Sequence, residues 1–146
     1  MSDSTSEGIL KALFAAVKAA APSCAEVQRN AALPQRVAGG GALIVRDGDP
    51  GEPEVTLSPA RWHYQHRAQI DVLVSGVDDA ARDAAFDELR RSVAGSISSD
   101  RTLGGLCDWV EAEPPAPQEV SETGASPMKV GVIPIVLHYS TDDPLL

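Results

Sequence analysis

The sequence predicts an α+β domain with a mixed, mostly antiparallel sheet flanked by two helices. Two segments carry apolar residues at three- and four-residue spacing, which is typical of helices. Other apolar segments are short or alternate with polar residues, as strands do. Because runs of strands occur with only two helices, α+β is favoured over a doubly wound parallel sheet. We expect the order helix, three strands, helix, and then two or three strands.

The chain has the size and composition of one domain. It has 146 residues, of which 43% are hydrophobic and 23% are charged, so residues 1–146 are expected to share one core. The net charge of −9 disfavours duplex DNA as a partner, since cationic side chains supply most DNA affinity. The polar start is not a signal peptide, and the longest apolar run, Val130–Leu137, is too short for a membrane span. We therefore expect a soluble protein.

The two helices are predicted at about Ser6 to Ala21 and about Asp79 to Ser98. The first ends at Pro22, and Asp78 is placed to cap the second. The residues expected to face the core are Leu10, Leu13, Phe14 and Val17 in the first helix and Phe86, Leu89, Val93 and Ile97 in the second. Both helices are therefore amphipathic and are expected to cover a sheet.

A hairpin is predicted between the first helix and the longest strand. Ala42–Arg46 reads as a strand, Glu54–Leu57 as its return, and the turn formers between them as an acidic tip. We expect this hairpin, about 47–59, to be mobile. A short turn of helix fits Ala25–Ala31.

Arg61–Ser75 is the clearest strand in the sequence. Its even-numbered residues, from Trp62 to Val74, are mostly apolar, and its odd-numbered residues are mostly polar, with Leu73 as the large apolar exception. We expect Ile70→Asp to destabilise the domain by several kcal/mol because it buries a charge. Gln69→Asp is expected to have little effect.

The same strand contains a mixture of cations and aromatic rings at Arg61–Arg67. Such a mixture binds single-stranded nucleic acid when both kinds of side chain share a surface. Here the alternation sends Trp62 and Tyr64 to the core side and Arg61 and Arg67 to the other. A structural strand is therefore favoured over a nucleic-acid site.

The C-terminal part is predicted to contain strands joined by turns and a proline-rich loop. We expect a last strand nearly covered on both faces, with Pro134 marking an edge or a bulge because proline lacks a ladder donor. In order, the predicted segments are a turn at Asp100–Leu106, a strand at Leu106–Ala112, a loop at about 113–127 with an edge strand at Gln118–Glu122 and a turn at Thr123–Pro127, a strand at Met128–Ser140, and an acidic tail at 142–146.

The sequence contains no catalytic or metal-binding motif that stands out. His63 and His66 have opposite strand parity and cannot readily share a metal, and no HExxH or paired Cys/His spacing occurs. Cys24 and Cys107 lack CxxC spacing. Cys107 falls in a predicted strand and is expected to be a core or interface thiol rather than a nucleophile. We therefore expect no enzyme activity and no cofactor.

Four segments in order resemble a known family. They are Arg67-Ala-Gln-Ile-Asp-Val-Leu-Val74, a helix with Asp87-Glu-Leu-Arg-Arg-Ser-Val93, Asp100-Arg-Thr-Leu-Gly-Gly-Leu106 and Ile133-Pro-Ile-Val-Leu-His-Tyr-Ser-Thr141. This series resembles the tail terminator proteins of long-tailed phages and gene transfer agents, and the resemblance covers roughly Leu10 to Thr141.

The resemblance implies a structural virion protein. Copies would form a ring, expected to be a hexamer, that caps the head-proximal end of the tail tube, stops tube polymerisation and meets the head–tail connector. The alternatives are another connector or tail tube protein, or a small ligand-binding domain or enzyme. Charged residues on the predicted hairpin, strand, loop and tail are the interface candidates. They are Arg46, Asp47, Asp49, Glu52, Glu54, Arg61, His63, Arg67, Glu119, Asp142 and Asp143.

Overall fold

Two helices pack on one face of a seven-stranded sheet. The computed structural model describes residues 2–34, 37, 39–121 and 128–146, apart from the side chains of residues 117–121. The elements in chain order are α1 (Thr5–Ala20), β1 (Glu26–Arg29), β2 (Ala42–Asp49), β3 (Glu54–Thr56), β4 (Arg61–Ser75), α2 (Asp79–Ser99), β5 (Trp109–Ala112), β6 (Ala116–Ser121) and β7 (Met128–Thr141). The predicted α+β class is confirmed, and the predicted order is correct apart from the additional strand β1.

Both helices begin close to the predicted positions. The Ser4 hydroxyl accepts a hydrogen bond from the Glu7 N–H at 3.3 Å, and the Asp78 carboxylate accepts one from the Ala81 N–H at 2.8 Å. Such caps satisfy donors that have no partner inside the helix. The predicted apolar stripes are buried, except that Phe14 is half-buried. Neither of the two described helices is long and apolar enough to cross a bilayer.

β4 and β7 form the centre of the sheet. The strand order is β1-β2-β4-β7-β5, with β3 also paired to β4 and β6 also paired to β7. All pairings are antiparallel except that of β1 with β2. β4 and β7 stay in register from Trp62 opposite Thr141 to Ser75 opposite Met128. The whole of Arg61–Ser75 therefore lies within the sheet.

The side-chain alternation predicted for β4 is confirmed. The even-numbered residues buried in the core with both helices are Ala68, Ile70, Val72 and Val74. The odd-numbered residues lie on the opposite face, hereafter the helix-free face. Leu73 is buried there in a second cluster with Ala42 and Ile44, so the apolar exception has its own small core. Trp62 is only half-buried, because it lies towards the end of β4 opposite Val55 of β3.

Two predictions for the region before β4 are wrong. The segment expected to hold a helical turn, Ala25–Ala31, contains β1, which pairs in parallel with Ala42–Val45. The predicted hairpin does not form, because β2 and β3 each pair with β4 rather than with each other. β4 has 15 residues, which is long enough for both strands to lie end to end along one side. The hairpin that forms joins β3 to β4.

The strand predicted at Leu106–Ala112 begins later, at Trp109. The Asp100 carboxylate accepts hydrogen bonds from N–H groups of the following turn, including that of Gly104 at 2.8 Å. This turn delays the start of the strand and places Cys107 in a loop rather than in a strand. Cys107 is nevertheless buried in the main core, as predicted.

Pro134 lies in a central strand, where a missing N–H would ordinarily interrupt the ladder. Its carbonyl accepts a hydrogen bond from the Glu113 N–H at 2.9 Å, so the polar edge of this residue faces away from β4. On that side β5 ends at Ala112 and β6 begins at Ala116. The sequence predicted an edge or a bulge at Pro134. Instead, Pro134 faces the gap between β5 and β6, which both pair with the same side of β7.

The predicted edge strand Gln118–Glu122 is observed as β6, which is described from Ala116 to Ser121. Glu122 and the predicted turn Thr123–Pro127 lie outside the described residues. The side chain of Glu119, an interface candidate, also lies outside them.

The prediction that β7 is covered on both faces is partly correct. On the helix-free face Val136 is buried, while Val130 and Val132 are half-buried.

Candidate interaction surface

The helix-free face carries six of the predicted interface residues. Residues directly opposite one another on paired strands share a face of the sheet. The registers of β2, β3 and β4 therefore place together, on this face, Arg46, Asp49, Glu54, Arg61, His63 and Arg67. The other candidates lie at strand ends, in turns or on the opposite parity.

Arg46 forms a partly buried ion pair in the middle of the helix-free face. Its Nε lies 2.5 Å from Oδ2 of Asp71, whose side chain is 7% exposed. The Gln69 amide donates to the other carboxylate oxygen at 3.0 Å. Asp71 is therefore compensated in charge and in hydrogen bonds, as a buried carboxylate must be. Arg46 has a structural partner within the chain.

On the helix-free face, the Arg67 side chain extends across β7 and reaches Glu113, which follows β5. Its Nη2 donates to both carboxylate oxygens of Glu113 at 2.8 Å. Both side chains are well exposed, so solvent screens this pair and it contributes little to stability. Val136, which is opposite Arg67 in the register, is buried. The pair is therefore part of the polar cover over β7.

Asp47 belongs to a different cluster, which joins α1 to the sheet. Arg29 donates from Nε to Asp47 at 2.9 Å and from Nη1 to Glu7 at 2.8 Å. Hydrogen bonding to Arg29 lowers the pKa of the Glu7 carboxyl. Partial burial acts to raise the pKa of Asp47, but hydrogen bonds from Arg29 and Asn30 outweigh it, so this pKa is also lowered. Both carboxylates are held ionised by one guanidinium.

His66 is buried and connects β4 to its two neighbouring strands. Its Nε2 lies 2.5 Å from the Asp47 carbonyl oxygen, and its Nδ1 lies 2.8 Å from the Tyr139 hydroxyl. Because a carbonyl only accepts, Nε2 donates the hydrogen bond to Asp47. Burial raises the pKa of Tyr139 to about 12, which keeps this hydroxyl protonated. Both ring nitrogens are thus occupied by structural hydrogen bonds.

An open groove lies beside the β3–β4 hairpin. It has a volume of about 390 Å³, and its lining includes Glu52, Glu54, His63 and His138. His63 Nε2 is 2.9 Å from the Thr56 hydroxyl. Within the described part of the chain, no group of three or more His, Cys, Asp or Glu side chains is arranged to hold a metal. The structure therefore brings together three predicted residues, Glu52, Glu54 and His63, without forming a coordination site.

The remaining predicted residues have local roles. Arg61 donates to the Ser140 hydroxyl at 2.8 Å and lies 4.0 Å from Asp142. Asp49 accepts a hydrogen bond from the Gly51 N–H, and Asp143 accepts one from the Leu145 N–H. These contacts stabilise turns and the tail, and they leave the carboxylates at the surface.

Both cysteines are free thiols. Burial, assisted by the Asp108 charge, raises the pKa of Cys107 to about 11. A thiol with a raised pKa is a poor nucleophile at neutral pH. Cys24 is exposed.

The sequence reasoning missed a second groove, between α2 and β5. Arg101 lies over the Trp109 ring with 4.9 Å between the guanidinium carbon and the ring centroid, and Trp109 is 46% exposed. Arg90 lines the neighbouring part of the groove. Asp87, three and four residues before Arg90 and Arg91, has the spacing of a helical ion pair, but no such pair forms among the described residues. Because this spacing predicts that the cations are paired within the helix, the sequence alone does not identify them as available for a partner.

Comparison with known proteins adds no family to this picture. A scan against protein-family models and a search of curated proteins both gave no match.

Proposed function

We propose that this chain is a structural virion assembly protein of the tail terminator type. Its copies form a ring, a hexamer by resemblance, at the head-proximal end of a tail tube. The ring stops tube polymerisation and joins the tail to the head connector. In this role the chain works in the tail of a phage or gene transfer agent particle, and its partners are further copies of itself, the tube protein and the connector.

The observation that carries this proposal is where the four resembling segments lie. They form most of the second half of β4, the middle of α2, the turn that follows it, and the end of β7. β4 and β7 pair with each other along the centre of the sheet, and α2 packs on both. The segments thus form one connected unit. Elements outside them, such as β1, β3 and β5, lie at the periphery.

A second argument comes from the two edges of the sheet. A ring of identical subunits needs two different, complementary patches on each subunit. One edge here consists of β1 and β3, and the other of β5 and β6. Unlike edges on opposite sides of one sheet suit a head-to-tail arrangement better than a symmetric pair of identical patches.

The test is the assembly state of the purified chain with and without tail tubes. Negative-stain electron microscopy and native mass spectrometry should show closed rings, either free in solution or seated on tube ends. Tubes assembled in the presence of the chain should be capped and should stop growing. A chain that stays monomeric in solution and never caps tubes would contradict the proposal.

The same experiment separates the nearest alternative. A tail tube protein would polymerise into long tubes, and a connector would bind the head portal rather than the tube end. Either result would keep the chain among virion assembly proteins but would remove the terminator role.

A further inference from the structure

The two edges of the sheet differ in charge as well as in position. β3 pairs with the outer side of β4, and β5 pairs with the outer side of β7. Since β4 and β7 are neighbours, β3 and β5 lie on opposite edges of the sheet, with both central strands between them. Insertion of the hairpin into the α2–β5 groove would therefore join two copies of the chain.

The groove between α2 and β5 is open and lined largely by small or apolar groups. One part, of about 620 Å³, runs from Ala94 and Ile97 to Trp109. A second part, of about 260 Å³, continues to Pro114 and shares Ala94 with the first. A Cβ atom added at Gly95 would meet nothing within 4 Å. The groove therefore has room for an inserted loop.

The cations around this groove have no carboxylate partner in the part of the chain that the structure describes. Among the described residues, Arg90, Arg91 and Arg101 form no ion pair. The two carboxylates that line the groove have other partners, since Glu111 contacts His138 at 2.9 Å and Glu113 binds Arg67. Among the described residues, the three arginines are therefore available to pair with carboxylates of another copy.

The β3–β4 hairpin has the complementary chemistry. Glu52 and Glu54 are exposed, and neither forms an ion pair within the described part of the chain. Beside them Val55 and Leu57 are 49% and 78% exposed. The hairpin thus presents two carboxylates and two aliphatic side chains to solvent.

We propose that the β3–β4 hairpin of one copy docks into the α2–β5 groove of the next copy. Glu52 and Glu54 face Arg90 and Arg91, and the aliphatic side chains lie against the apolar lining near Trp109. Opposite charges at such a contact fix its register and favour the correct partner. The contact is heterologous, since each copy uses its hairpin on one side and its groove on the other, and repetition of such a contact closes into a ring when the rotation between successive copies divides a full turn. This inference rests on the proposed ring-forming function and names its subunit interface.

Two charge-reversal variants test the contact. The hairpin variant carries Glu52→Lys and Glu54→Lys, and the groove variant carries Arg90→Glu and Arg91→Glu. All four side chains are exposed, so both variants should fold, which circular dichroism and thermal unfolding can check. Each variant alone should associate at least about tenfold more weakly than the wild type in sedimentation velocity.

Mixing the two variants makes the test specific. The hairpin variant keeps an intact groove for the other variant's hairpin, and its lysines face the other variant's new glutamates. An equimolar mixture should therefore regain assembly with alternating subunits. Lys18→Glu, which reverses the charge of an exposed α1 lysine away from the groove, is the matched control and should assemble like the wild type. Variants that assemble normally alone, or a mixture that fails to recover, overturn the inference.

A crosslinking readout covers the case of weak association. In a Cys24→Ser background, Leu57→Cys and Ala94→Cys place one thiol on the hairpin and one in the groove. Mixed together in air, with dissolved oxygen as the oxidant, they should form the disulfide-linked heterodimer faster than either forms a homodimer. A lack of preference overturns the docking proposal. Rings that form without this crosslink would contradict only the interface, whereas a monomer that never caps tubes would contradict the proposed function.

Discussion

The two faces of β4 are stabilised in different ways. Towards the helices the strand buries aliphatic side chains, and Ile70 and Val72 are completely inaccessible. On the helix-free face the central buried residue is a carboxylate, Asp71, compensated by Arg46 and Gln69. The first face depends on the exclusion of water, and the second on complete pairing of its polar groups. The domain should therefore tolerate a change on either face only if it respects that face's chemistry.

The largest expected effect is on the apolar face. Ile70→Asp would bury a carboxylate among side chains that have no compensating charge or donor, and should lower the free energy of unfolding by about 4 kcal/mol. Urea unfolding followed by circular dichroism measures this loss, with protein that no longer folds as its upper limit.

The matched control for that substitution is Gln65→Asp. Gln65 lies on the helix-free face of the same strand and is exposed, so the free energy of unfolding should change by no more than about 0.5 kcal/mol. The sequence alone also predicted a mild effect for Gln69→Asp. The structure revises this expectation, because Gln69 donates to Asp71 and a second carboxylate there would repel the first. Equal losses for Ile70→Asp and Gln65→Asp would refute the assignment of faces.

The next effect is on the paired face. Asp71→Ala should lower the free energy of unfolding by about 2–3 kcal/mol, because it leaves the partly buried Arg46 guanidinium without its counterion. Replacing both partners, as Arg46→Met with Asp71→Leu, should restore most of the stability because no uncompensated charge remains. Thermal unfolding of the single and double variants makes the comparison. A double variant less stable than Asp71→Ala would show that the pair contributes more than mutual compensation.

Much of the fold could be predicted from local patterns. The bounds of β4 and the positions of both helices follow from side-chain periodicity and from capping residues such as Asp78. The pairing of β2 and β3 with β4 could not be predicted, because nothing local specifies which strands become neighbours. β1 was missed for the same reason: four residues with a half-exposed pattern form a strand only because β2 lies beside them.

The candidate surfaces were predicted less completely than the fold. Charged residues of the hairpin were identified as candidates because an acidic turn is visible in the sequence. The groove was missed because it depends on how α2 sits against β5, and on Glu113 binding Arg67 across β7. Whether a cation is compensated is a property of tertiary distances, which residue spacing does not give.

A smaller effect concerns the Arg29 cluster and depends on pH. The folded pKa values of Glu7 and Asp47 are lowered, so their contribution to stability is present above the unfolded pKa values of about 4 and is lost as pH falls through the folded values. Because both carboxylates are more than a third exposed, the contribution should not exceed about 1 kcal/mol. Arg29→Gln should remove it at neutral pH.

Urea unfolding of the wild type and Arg29→Gln from about pH 7 to about pH 3 tests this linkage. The difference in unfolding free energy between these two proteins should narrow as the pH falls. Lys18→Gln removes a lysine that forms no ion pair among the described residues, so its difference from the wild type should stay constant. If the difference in unfolding free energy between the wild type and Arg29→Gln increased in acid, Arg29 could not be the group that lowers these pKa values.

The smallest effect sharpens the contrast within the helix-free face. Arg67 and Glu113 form an ion pair whose side chains are 58% and 41% exposed, so a double-mutant cycle with Arg67→Gln and Glu113→Gln should give a coupling of about 0.5 kcal/mol. The coupling should fall further in concentrated salt, because solvent-exposed charges are screened. A coupling as large as that of Arg46 with Asp71 would mean that exposure does not separate the two pairs. Burial then could not explain why one pair stabilises the sheet and the other mainly covers Val136.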